Sequence, residues 1–119
     1  MKLLLVDDEP LARQRLAGLV KELGGHEVAG EAGNGREAVE LAESLGVDGV
    51  LLDIAMPVMD GLEAARHLAG LAAPPAVIFC TAFDEYLVEA IAGNGIEYLL
   101  KPIRDEDVAR ALAKYHRLE

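Results

Sequence analysis

Strand-like apolar runs alternate with segments of helical period from one end of this chain to the other, and no other feature limits its fold so tightly. The runs are Lys2–Val6, the weaker His26–Ala32, Gly49–Leu52, Ala76–Cys80 and Glu97–Leu100. A short continuous apolar run is what a strand covered on both faces requires, since neither face meets water.

The segments between them read as helices. Pro10 suits the first turn of a helix over Pro10 to Leu23, with Ala12, Leu16, Leu19, Val20 and Leu23 inward and Gly24-Gly25 as its stop. Asn34 caps a second, with Ala38, Leu41, Ala42 and Leu45 inward, ending near Gly46. A third runs from Gly61 to Ala69 after the loop Ile54 to Asp60, and Pro74-Pro75 lead into the fourth strand. A fourth helix begins at Asp84 or its neighbour, turns Leu87, Ala90 and Ile91 inward and stops at Asn94-Gly95. After Lys101-Pro102, Asp105 opens a fifth with Val108, Ala111, Leu112 and Tyr115 on one face. Because crossovers between parallel strands are right-handed, five strand–helix pairs predict an α/β, doubly wound domain: one parallel sheet with helices on both sides. Its 119 residues suffice for one core, so the expectation is one domain over residues 1–119 and no second domain.

Composition narrows the function classes. With 21 acidic against 11 basic residues, the net charge of −10 opposes direct binding to nucleic-acid phosphates by this domain. No stretch approaches the roughly 20 apolar residues of a membrane helix, and the opening MKLLLVDDEP turns acidic too early for a signal peptide, so a cytoplasmic location is expected. Cys80 is the single cysteine, which rules out an intrachain disulfide and suggests a buried, inert thiol.

Ligands of open parallel sheets bind beyond the carboxyl ends of the strands. There the first strand delivers Asp7 and Asp8, the third Asp53, the fourth Thr81 and the fifth Lys101. Taken singly these residues have plain explanations: a solvated acidic loop, a helix cap, a surface lysine. Their position at successive strand ends is what joins them. Three crowded carboxylates call for protons or a cation, and Mg2+, which prefers oxygen ligands, suits them. Thr81 and Lys101 would then neutralise phosphate oxygens from the other side, and Asp53 is the best-placed nucleophile for an acyl phosphate. Glu9 reads as a first-turn residue rather than a ligand, Asp60-Gly61 as a turn and helix start, and His26, His67 and His116 as surface residues.

The segments VDDEPLAR, LLDIAMPVMDG, FCTAFDEY and YLLKPI, in this order and spacing, together resemble a response-regulator receiver domain over the whole chain. DDEPLAR and TAFDEY make it most similar to the LytR/AlgR (LytTR) class of two-component transcription regulators. The resemblance implies a flavodoxin-like (βα)5 fold of strand order 2-1-3-4-5. It also implies a phosphorylation-dependent signalling switch rather than an enzyme. Asp53 would accept a phosphoryl group from a sensor histidine kinase or a small phosphodonor. Asp8 and Asp53 would ligate Mg2+, Asp7 mostly through water, and the backbone carbonyl of Ala55 would complete the set. Thr81, Tyr98, Lys101 and Pro102 would form the switch, with the Lys101-Pro102 bond cis. The fourth helix, fifth strand and fifth helix would change as an output or homodimer face, near which lie Tyr86, Leu87, Ile96 and Val108. Pro57 and Gly61 would shape the loop, and Ala55 and Phe83 would line the path of the attacking water, Phe83 slowing hydrolysis.

The resemblance leaves two outputs open: transcription regulation through an attached DNA-binding domain, or a stand-alone receiver acting by protein docking. Two rivals fit less well. An aspartate-nucleophile phosphatase wants Asp-x-Asp after its first strand, whereas this chain has Asp7-Asp8-Glu9. A flavin module wants a hydroxyl- and glycine-rich phosphate cradle where this loop is acidic.

Overall fold

The computed structural model describes residues 1–82 and 97–116, and the fourth predicted helix with Phe83, Tyr86, Leu87 and Ile96 lies outside them. The described residues form five strands: β1 (Lys2–Val6), β2 (Glu27–Ala32), β3 (Gly49–Leu52), β4 (Ala76–Thr81) and β5 (Glu97–Leu100). They form one sheet of order β2-β1-β3-β4-β5 in which every pair is parallel. This is the flavodoxin-like order implied above.

The described helices are α1 (Pro10–Leu23), α2 (Gly35–Leu45), α3 (Gly61–Ala69) and α4 (Asp105–His116), the last being the fifth of those predicted. Their ends follow the local chemistry. The Asn34 side chain accepts from Glu37 N at 2.9 Å and caps α2, while Gly46, at φ 61°, closes it in the left-handed conformation. Asp60 caps α3 in the same way through Glu63 N, at 2.9 Å. Pro10 stands at the start of α1, where a missing N–H costs nothing.

Two apolar layers sandwich the sheet. Leu4, Val6, Val50, Leu52 and Phe79 face Ala38 and Ala42 of α2 and Ala64 and Leu68 of α3. Leu3, Leu5, Leu51, Ile78 and Leu99 face Leu16 and Val20 of α1 and Val108, Ala111 and Leu112 of α4. Alternate residues of one strand thus enter opposite layers, which explains why β1 and β3 read as unbroken apolar runs.

Two boundaries differ from expectation by one residue. The second strand starts at Glu27 rather than His26, because pairing begins at Lys2↔Glu27 and Glu27 N donates to the Met1 carbonyl at 2.9 Å. His26 is half-buried, with Nδ1 3.4 Å from the α-amino group, rather than a plain surface residue. The fourth strand continues through Thr81, which pairs with Leu100. Among the described residues, no helix is long and apolar enough to cross a membrane.

Cys80 is fully enclosed on β4, and burial pushes its thiol up to about 12. Native protein should therefore leave a thiol-reactive disulfide reagent unconsumed at pH 8 and consume one equivalent only after denaturation. Rapid native labelling would show that the second layer opens readily.

Candidate functional site

Register builds the site. Val6 and Leu52 are partners in the β1–β3 ladder, so the next residues, Asp7 and Asp53, emerge side by side at the carboxyl edge. Each backbone stays pinned one residue past its strand: Asp7 N donates to Ala32 O at 3.1 Å and Asp53 N to Val6 O at 2.9 Å. Lys101 is fixed likewise, its N donating to Thr81 O at 2.8 Å.

The side chains converge as well. Asp7, Asp8 and Asp53 each offer a carboxylate oxygen within 4.8 Å of the others. Asp7 and Asp53 are buried, at 1% and 6% exposure, and Thr81 is fully buried, whereas Asp8 is exposed. The Lys101 ammonium donates to Asp7 Oδ2 at 2.7 Å and to Asp53 Oδ2 at 3.2 Å. Glu9 N donates to the other Asp7 oxygen at 2.9 Å, so Asp7 is held from both sides.

Two buried carboxylates at this spacing would repel strongly without compensation, and Lys101 supplies it. Burial raises the Asp53 pKa above the ordinary carboxylate range; Lys101 pulls it back without cancelling the rise, and the charge on Asp7 adds to it. For Lys101 burial acts downward, but the Asp7 hydrogen bond and the two carboxylate charges outweigh it and hold the ammonium protonated above its usual range.

The loop after Asp53 is shaped by close approach. Gly61 N donates to Ile54 O at 2.8 Å, and a Cβ on Gly61 would run into the Asp53 carbonyl oxygen and the Ile54 Cα. Only glycine lets α3 start so near the carboxylate strand. Ala55 is exposed in this loop, Tyr98 is half-buried on β5 against the first apolar layer, and the Lys101-Pro102 bond is cis.

Two supporting residues escape a reading by motif. Arg13 donates through Nη1 to the Asp7 carbonyl at 2.6 Å and through Nε to Glu31 at 3.1 Å, tying α1 to β1 and β2. Gly35 N donates to Met59 O at 2.9 Å. Arg13 lies one turn into α1, just past the acidic pair, and that nearness is its only signal in the sequence.

Residues 3–113 match the response regulator receiver domain family, and this chain belongs to it. Within that family its likeness is to the LytR/AlgR class of transcription regulators. It is 55% identical over 118 residues to the positive alginate biosynthesis regulatory protein of Pseudomonas aeruginosa, covering 98% of this chain and 48% of that protein. It is 39% identical over 114 residues to the transcriptional regulatory protein LytR of Staphylococcus aureus, covering 96% and 46%. The chain thus spans about half the length of the curated relatives it matches. A solved CheX–CheY–BeF3–Mg complex from Borrelia burgdorferi contains a chain that superposes with a TM-score of 0.86 at 26% identity, over 98% of this chain and 89% of that one. Receiver domains are regulatory parts of two-component systems, and they bind Mg2+ at an acidic cluster of the kind Asp7, Asp8 and Asp53 form here.

Replacing Gly61 with alanine should destabilise the fold by about 2 kcal/mol, because the added Cβ meets backbone on two sides. An unchanged urea midpoint would contradict that packing. The raised Asp53 pKa gives a second expectation. The folded chain holds that proton more tightly than the unfolded chain, so this group's contribution to stability falls as pH rises from the unfolded value through the raised one. In EDTA, Asp53→Asn should therefore melt above the parent at pH 7, and the gap should narrow as pH drops toward about 4. Equal melting temperatures at pH 7 would remove the burial argument.

Proposed function

We propose that this domain is a phosphorylation-dependent switch in which Asp53 accepts a phosphoryl group from a sensor histidine kinase. The observation that carries this reading is the convergence of buried Asp53 with Asp7, Asp8 and the Lys101 ammonium on one strand edge. An Asp53 oxygen attacks the phosphorus of a phosphohistidine; an O–P bond forms, the P–N bond breaks, and its electron pair returns to the imidazole. Lys101, already 3.2 Å from Asp53 Oδ2, then pairs with a phosphoryl oxygen, and the Thr81 hydroxyl takes another.

Asp7, Asp8, Asp53 and the Ala55 carbonyl would hold Mg2+, with Asp7 reaching it mostly through water. The donor set fits: all are hard oxygens, and a spread within 4.8 Å is close to the roughly 4.2 Å that opposite ligands of one Mg2+ subtend. When bound, Mg2+ neutralises carboxylate and phosphoryl charge that would otherwise oppose transfer. The BeF3 and Mg of the Borrelia burgdorferi complex support this reading.

Phosphorylation adds charge where Lys101 now bridges two carboxylates, so it favours whichever arrangement gives the phosphate the better partners. Thr81 turns toward the phosphate, Tyr98 moves inward behind it, and Pro102 keeps Lys101 aimed at the site. The face made by the fourth predicted helix, β5 and α4 changes in consequence and serves as output or homodimer surface. Since the relatives are about twice as long and are named as regulators, the output is transcription control through an attached DNA-binding domain in the cytoplasm. Docking of the domain alone to a partner protein is the second reading.

Intact mass after incubation with acetyl phosphate tests the chemistry. One phosphoryl group should add, should require Mg2+, and should vanish in Asp53→Ala. Addition that persists in that variant would place the acceptor elsewhere.

A further inference from the structure

Asp7, Asp53 and Lys101 fix one another's side chains, through the Lys101 ammonium at 2.7 and 3.2 Å, but Asp8 has no such anchor. Its carboxylate is exposed and has no hydrogen-bond or ion-pair partner among the described residues. Its place in the cluster, within 4.8 Å of the other two carboxylates, is therefore set by the backbone that carries it.

That backbone is pinned on both sides of Asp8. The peptide after it is held by Glu9 N, which donates to Asp7 Oδ1 at 2.9 Å. The peptide before it is planar, so whatever holds the Asp7 carbonyl oxygen also orients the Asp8 Cα. Arg13 Nη1 holds that oxygen, at 2.6 Å. Asp7 is 1% exposed, and no backbone N–H of the described residues donates to its carbonyl, so the guanidinium satisfies an acceptor that would otherwise be buried and unpaired.

The guanidinium is itself braced. Its Nε donates to Glu31 of β2 at 3.1 Å, and the arginine side chain is largely buried, at 20% exposure. A planar group with donors in fixed directions can hold a carbonyl and a carboxylate at once, whereas an ammonium presents all its donors at one point. On charge alone, arginine is a poor choice here, because a fixed positive charge beside a cation site repels the cation. Geometry and charge therefore act on metal affinity with opposite signs at this residue.

We infer that Arg13 is a positioning residue for Mg2+: by holding the Asp7 carbonyl it sets the peptide that places Asp8 beside Asp53, and so raises the affinity of the cluster for the metal. This inference rests on the proposed Mg2+ site, and its test separates the two. Mg2+ alone is titrated at constant ionic strength into the parent chain, Arg13→Met and Arg13→Lys, and binding is followed through backbone amide chemical shifts. The dissociation constant should rise about tenfold for Arg13→Met, the loss usual when a group that orients a metal ligand is removed. It should rise about threefold for Arg13→Lys, which keeps the charge without the planar fork.

With acetyl phosphate as donor, the Mg2+ concentration giving half-maximal phosphorylation should shift by the same factors, while the rate at saturating Mg2+ stays at the parent value. A dissociation constant that falls or does not change in Arg13→Met would overturn the inference, since losing the positive charge by itself tightens binding. Arg13→Lys keeps the test open if Arg13→Met does not fold, and a parent-like constant there would overturn it equally. A loss of saturated rate at unchanged Mg2+ affinity would do the same, placing the effect of Arg13 on Asp53 instead. A parent chain that binds no Mg2+ would overturn the proposed metal site itself, whatever the variants do.

Discussion

The contact on which this arrangement depends is the Lys101 ammonium set against Asp7 and Asp53. Two nearly enclosed carboxylates on neighbouring strands are tolerable only with a cation within hydrogen-bonding distance, and the lysine comes from the far side of the sheet to provide it. Parallel topology makes the meeting possible. Every strand runs the same way, so every strand leaves its last residue on the same edge, and residues 94 positions apart in the chain can share a proton. An antiparallel sheet of the same strands would have sent half of these groups to the opposite end.

Below that edge the sheet has few conformational choices. Its interior strands are apolar on both faces and locked between helices, and their ladders extend one residue beyond the strands into the aspartates. The backbone of the site is therefore part of the core, while its chemistry lies in side chains and loops that the core leaves free to vary. A group that gained charge at this spot would be felt by both carboxylates that Lys101 touches.

Much of this was legible in the sequence, for physical reasons. Unbroken apolar runs identify strands buried on both faces, and Asn34, Gly46 and Asp60 mark helix ends through hydrogen bonds and backbone freedom that few other residues provide. The site residues were visible because each directly follows a run. What the sequence withheld is long-range geometry. Nothing in it shows that Lys101 bridges the two carboxylates, that Arg13 braces Asp7 through a backbone carbonyl, or that Gly35 and Met59 touch. His26 looked like a surface residue because its partner, the α-amino group, carries no motif.

The strand order carries one more consequence. Asp7 and Asp53 follow strands flanked on both sides, but Lys101 follows β5, which among the described residues lies at the edge of the sheet and pairs with β4 alone. Local opening is easier at a sheet margin than in its middle. The negative half of the cluster is thus anchored in the most protected part of the domain, and the positive half in a part that can loosen alone. Amide exchange should rank the two halves accordingly, and a β5 that peels away would leave its carboxylates in place, unneutralised and ready to draw it back.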